Sequence, residues 1–228
     1  MATIVMDALS HQAIRATGSE DEHYRASPER TGQWRGRRLI GVETTLRALG
    51  HDLAFARPEA EPLAGAALLI VGSRSDRLQF SEGELAAIRD YVRGGGGLLL
   101  MANHQRFIMP QQQVALALEL PFGFLDTTHA GFPELVLAPH ELTAGCTGLV
   151  VRNATSIAVP PGAPAIAHFA RDARHRFVAV AEAGRGRVVA TGDSGFIASA
   201  DDTGRDMFSA GSNAAFFANC VRWLTRTT

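Results

Sequence analysis

Short apolar blocks alternate with polar stretches along the chain, and each block stops abruptly at a polar residue or a glycine. Residues 2–6 are apolar and β-prone and end at Asp7, which predicts a buried first strand. Residues 66–72 (AALLIVG) are apolar throughout, as expected of a strand covered on both faces in a parallel sheet. Residues 98–102 repeat that composition and stop at Asn103 and His104. Between these blocks Ser81 and Glu84 have the spacing of a capping box, and Leu85, Ile88, Tyr91 and Val92 recur at helical spacing. Gly94 to Gly97 then end the helix. Further helices are predicted over 38–49, closed by Gly50, over 112–118 and over 213–224, with a strand over 51–56. Residues 177–181 and 187–191 predict two strands joined at Gly184-Arg185-Gly186, and small strands or turns are expected near Leu135, Val150 and Ile157. Residues 17–37 are polar without periodicity and predict a long exposed loop, a length that in compact domains usually marks function or mobility. The strand, helix, strand alternation predicts an α/β, doubly wound sheet with helices on both faces, formed as one domain over residues 1–228.

Composition narrows the function classes. A chain of 228 residues, 46% hydrophobic and 20% charged, suits a globular domain with a large core. The net charge of -1 gives no general attraction to nucleic acid or anionic membrane, and no apolar run approaches the roughly 20 residues of a membrane span. With no basic, apolar leader at the N-terminus, a cytoplasmic location is expected. All 22 basic residues are arginine, which excludes Schiff-base lysines, a phosphate-loop lysine and lysine general bases. Cys146 and Cys220 form no C-x-x-C pair and are expected to pack as small apolar side chains.

The order of several segments carries a resemblance. A strand ending in Asp7 with His11 nearby is followed by "LRALGHDL", then by "LLIVGSRSDRLQFSEGELAAIRDYVRGGGGLLLMANH". After these come "HELTAGCTGLVV", "AEAGRGRVVATGDSGFI" and "SNAAFFANCVRWL". Together they resemble the class I glutamine-amidotransferase-like superfamily, in particular the group containing the GIFT domain of intraflagellar transport proteins. The resemblance implies a flavodoxin-like, mostly parallel sheet with an additional antiparallel C-terminal strand pair. It also implies that the strand after the glycine-rich turn ends in the elbow that bears the catalytic cysteine in the amidotransferases. Here that strand runs into Met101-Ala102-Asn103-His104-Gln105, with no cysteine and no later His-x-Glu pair, so glutamine hydrolysis by that mechanism is not expected.

In an open α/β sheet, ligands gather beyond the C-terminal ends of the strands at the switch in strand order. Three polar clusters are expected there: Asp7 with Ser10 and His11, Asn103 with His104, and Asp193 with Ser194. Ser73 and Arg74 follow the third strand toward the same crevice. Asp7, His11, His104 and Asp193 have the chemistry of a catalytic set, with or without a metal, since carboxylate and imidazole suit both proton transfer and zinc-like ions. The plainer alternative is that Asp7 caps a turn and His11 bonds a neighbouring loop. Ser194 lies in Gly192-Asp193-Ser194-Gly195, which resembles the serine motif of trypsin-like proteases without that fold's partners, so Asp193 is expected to bind backbone amides at the turn. Arg35, Arg37 and Arg38 beside Trp34 have the chemistry to grip an anion, or form a solvated loop face. The leading expectation is a non-amidotransferase binding module for a small polar ligand, a sugar included, or for a protein partner. An apolar surface at residues 107–110 would suit a partner or an oligomer. The rival is a hydrolase using Asp7, His11, His104 and Asp193.

Overall fold

Alternate residues of the central strands face opposite sides of one sheet in the computed structural model, and each side carries its own hydrophobic core. The structure describes residues 2–10, 13, 39–104, 107–164, 166–199 and 204–226. The predicted 17–37 loop, His11 and the arginines beside Trp34 lie outside the described residues.

The elements are β1 (Ala2–Asp7), α1 (Ile40–Ala48), β2 (His51–Ala56), α2 (Ala60–Leu63), β3 (Leu68–Val71), α3 (Glu82–Arg93), β4 (Gly97–Met101) and α4 (Met109–Ala117). The short strands β5 (Gly123–Phe124), β6 (Leu135–Leu137), β7 (Ile157–Ala158) and β8 (Ala167–Phe169) follow. The chain ends in β9 (Asp172–Ala183), β10 (Gly186–Thr191) and α5 (Asn213–Leu224). Strand order in the sheet is β2-β1-β3-β4-β10-β9-β7-β5, with β8 paired to β9 and to β6. The first five of these run parallel, and β9 turns the sheet antiparallel against β10. The flavodoxin-like core with an antiparallel C-terminal addition is therefore present.

Ile4, Met6, Ile70, Leu99, Met101 and Val189 face one side, where Val42 and Leu46 of α1 and Phe216, Phe217 and Val221 of α5 cover them. Val5, Leu69, Val71, Leu98, Leu100 and Val188 face the other, under Ile88 and Val92 of α3 and Val114 of α4. This two-residue alternation turns the continuous apolar runs into two buried faces. Cys220 is buried in the first core, and Cys146 packs against it half-buried. The glycine run before β4 does more than end α3. A side chain at Gly97 would stand 2.4 Å from the Leu224 carbonyl, so the close approach of α5 to the sheet requires glycine there.

Several predicted elements differ in extent. Helix α4 begins at Met109, because Pro110 in its first turn needs no amide partner. Strand β9 runs over 12 residues from Asp172, longer than its apolar centre, since it pairs with three neighbours in succession. Near Val150 there is no strand, only an isolated bridge between Leu149 and Gly211. No helix among the described residues is long and apolar enough to cross a membrane.

The capping box of α3 is complete. Ser81 Oγ accepts from the Glu84 amide at 3.2 Å, and Glu84 Oε2 accepts from the Ser81 amide at 2.9 Å. Ser81→Ala is expected to cost about 1 kcal/mol in urea denaturation, the usual value of a lost N-cap. A loss well above that would show that Ser81 also holds Glu84 in place for the site below.

Candidate functional site

The parallel strands β1, β3, β4 and β10 all end at the same edge of the sheet, where Asp7, Ser73, Asp193 and Ser194 are buried and Asn103 is half-buried. The order β2-β1-β3 places the topological switch between β1 and β3, where the connections depart to opposite sides.

At that switch the fully buried Arg74 joins β1 to α3. Its Nε donates to Asp7 Oδ2 and its Nη2 to Asp7 Oδ1, both at 2.7 Å, a two-pronged pair. Nη2 also donates to Glu84 Oε1 at 2.9 Å, and the guanidinium lies 3.7 Å from the centre of the Phe80 ring. Asp7 Oδ1 takes a further bond from the Leu9 amide at 3.1 Å. Burial pushes the Asp7 carboxyl up against the opposing pull of Arg74. Burial also opposes the charge on Glu84, yet the Arg74 guanidinium and the Ser81 amide outweigh it and hold that carboxyl low. Ser10 belongs to the turn after β1: its hydroxyl donates to the Asp7 carbonyl at 2.8 Å and accepts from the Ala13 amide.

A second group sits at the ends of β3, β4 and β10. Ser73 Oγ and Ser194 Oγ are 2.7 Å apart. Asn103 Nδ2 approaches Asp193 Oδ1 at 3.4 Å and Ser194 Oγ at 3.5 Å, while Asn103 Oδ1 accepts from the His104 amide. Asp193 accepts the Gly195 amide at 2.7 Å and the Arg152 amide at 3.2 Å. These donors are all neutral. Desolvation therefore dominates, and the Asp193 carboxyl is pushed up to about 6. Beside the group, Gln111 Nε2 donates to the Gly72 carbonyl at 2.9 Å. Gln111 Oε1 is buried and meets no donor among the described residues.

The structure thus brings Ser73, Asn103, Asp193 and Ser194 into one hydrogen-bonded group, with Asp7 and Arg74 in an adjacent one. The His104 ring packs edge-on near Phe107, at 6.5 Å between centres. Among the described residues no three His, Cys, Asp or Glu side chains lie close enough together to hold a metal ion. Sequence reasoning missed Glu84, Phe80 and Gln111 as members of the region. Glu84 was visible only as a helix cap, and a glutamine on a helix gives no signal of facing a strand end. In the predicted apolar surface at 107–110, Met109 is exposed while Ile108 and Pro110 are buried.

No protein-family model matches the chain, and no curated protein matches it in sequence. Solved structures do match in fold. The N-terminal domain of mmIFT52 superposes with a TM-score of 0.68 at 14% identity, over 98% of this chain and 97% of that one. A ThuA-like protein from Bacteroides uniformis gives 0.58 at 13% identity, over 98% and 91%. A β-galactosidase from Rahnella sp. R3 gives 0.58 at 13% identity, over 98% of this chain but 31% of the enzyme. The chain has the class I glutamine-amidotransferase-like fold that its sequence resembles.

Proposed function

We propose that the chain is a non-amidotransferase binding module that holds a small polar, hydrogen-bond-donating ligand at the C-terminal strand ends. The observation that carries this reading is the group of buried Ser73, Asp193 and Ser194 with half-buried Asn103, contributed by three separate strand ends and joined by hydrogen bonds. Asn103 stands at the end of the strand that bears the catalytic cysteine in amidotransferases, and its amide suits recognition better than nucleophilic attack. The acceptors outnumber the charges available to anions: among the described residues Arg74 already faces two carboxylates, Asp193 has neutral donors only, and Gln111 Oε1 meets no donor. A hydroxyl-rich ligand meets that need, and the fold likeness to part of a β-galactosidase supports carbohydrate as the class. A hydrolase using Asp7, His11, His104 and Asp193 would require an Asp7 carboxylate available to substrate, and Arg74 engages both of its oxygens.

Saturation-transfer NMR with methyl β-D-galactoside and methyl α-D-mannoside tests the reading. Transfer is expected to at least one glycoside with the wild-type protein and to be lost in Asp193→Asn, with the fold retained by circular dichroism. Absence of transfer to both glycosides, or transfer unaffected by Asp193→Asn, overturns it.

A further inference from the structure

Strand β2 forms one end of the sheet, and among the described residues nothing pairs with its outer edge. The Ala56 carbonyl accepts from the Ala8 amide at 2.9 Å, so the peptide groups of Asp52, Ala54 and Ala56 turn toward β1. Alternation along the strand turns those of His51, Leu53 and Phe55 outward, where they bond to no described residue. The edge also lacks the features that usually keep such strands from pairing. It runs for six residues in unbroken register with β1, without a bulge, a proline or a lysine. Leu53 and Phe55 pack against the first core yet stay half-buried, and Ala54 is half-buried between them. Two exposed charges flank this apolar centre, Asp52 before it and Arg57 after it. Neither has an ion-pair partner among the described residues.

We infer that β2 pairs antiparallel with β2 of a second copy of this chain across a two-fold axis, joining two ten-stranded sheets into one. An axis normal to the sheet keeps each face on its own side, so outward residues meet outward residues. With Ala54 on the axis, Leu53 lies opposite Phe55 of the second copy, and Phe55 opposite its Leu53. Each of these pairs exchanges main-chain hydrogen bonds in both directions. The exposed flanks of their side chains then cover one another on a single face. The same register sets Asp52 opposite Ala56 of the second copy and diagonal to its Arg57, once on each side of the axis. The edge thus carries its own counter-charges in antiparallel order, which favours a second copy over an unrelated extended peptide. So short an edge makes a weak dimer rather than a permanent one.

Sedimentation equilibrium of the full chain over a roughly hundredfold range of concentration, with hydrogen exchange of the β2 amides, tests the inference. The mass should approach twice that of one chain as concentration rises, and exchange at Leu53 and Phe55 should slow with it. The Ala54 and Ala56 amides already bond to β1 and should not change. Asp52→Arg and Arg57→Asp replace exposed residues, so both variants are expected to fold. Each sets like charges together and should weaken association about tenfold or more, and the double variant should restore it. A chain that stays monomeric throughout overturns the inference, as does a dimer whose Leu53 and Phe55 amides exchange at the monomer rate. Slowed exchange there in a monomer would mean another occupant of the edge and overturns it equally. A dimer indifferent to the single charge variants, or not restored by the double one, has a different interface, and the inference fails.

Discussion

Arg74→Met is expected to lower stability by roughly 3–5 kcal/mol, the usual consequence of leaving buried carboxylates without their cation. Asp7 is fully buried and Glu84 nearly so, and each takes at least one hydrogen bond from the guanidinium. Removing the guanidinium leaves two negative charges facing each other with no counterion, in a region lined by Phe80. Against a typical total of 5–15 kcal/mol, the single variant stands near the limit of folding. The cause is separable from lost packing. In the triple variant Arg74→Met with Asp7→Asn and Glu84→Gln the charges are gone, and most of the loss should be recovered. Urea midpoints for wild type, single and triple variants measure this directly. A triple variant no more stable than the single one would show that shape, rather than charge, makes Arg74 necessary. Arg74→Lys should fall between the two, because an ammonium supplies charge but not the planar fork that bonds both Asp7 oxygens.

The same contact shows where sequence reasoning stops. β1, β3 and β4 were legible because a fully buried parallel strand has an unmistakable composition, β10 because a glycine turn separates it from β9, and α3 because its capping box and helical spacing coincide. β6 and β7 fall near Leu135 and Ile157, where small strands or turns were expected, whereas β5 and β8, of two and three residues, are too short to display periodicity and exist only through their partners. The polar residues that end the apolar runs were found for a general reason: in such sheets, strand ends gather what the fold presents to ligands. Their grouping was not legible. Asp7 and Asp193 looked equivalent as carboxylates after strands, and what separates them is Arg74, 67 residues from Asp7 in the chain. Nothing local marks Arg74 as buried rather than a solvated loop arginine.

Asp193 should make the protein less stable as the solution is raised from about pH 4 toward neutrality, opposite to the ordinary behaviour of a paired carboxylate. Its carboxyl sits near 6 in the folded state and near 3.8 when unfolded. Between those values the folded chain keeps a proton that the unfolded chain has released, so folding is favoured there by acid. The stabilisation is full below the unfolded value and is lost as pH rises through the folded one. By pH 7 the ionised, buried group costs about 3 kcal/mol relative to its protonated form, at 1.36 kcal/mol for each unit of displacement. Other carboxylates impose slopes of their own, so the measurement is a difference: the urea-derived stability of Asp193→Asn minus that of the wild type, from pH 4 to pH 8. The asparagine variant should gain on the wild type through this window and level off above about pH 7. A difference that stays flat would mean that Asp193 is ionised without strain. A titrating difference has a functional corollary. Desolvation raises the carboxyl, and a ligand that donates hydrogen bonds to the carboxylate offsets part of that penalty and lowers it again. Binding of such a ligand near pH 6 should therefore release protons, and affinity for a hydroxyl-rich ligand should rise as pH rises through 6, in the range where the empty site becomes less stable.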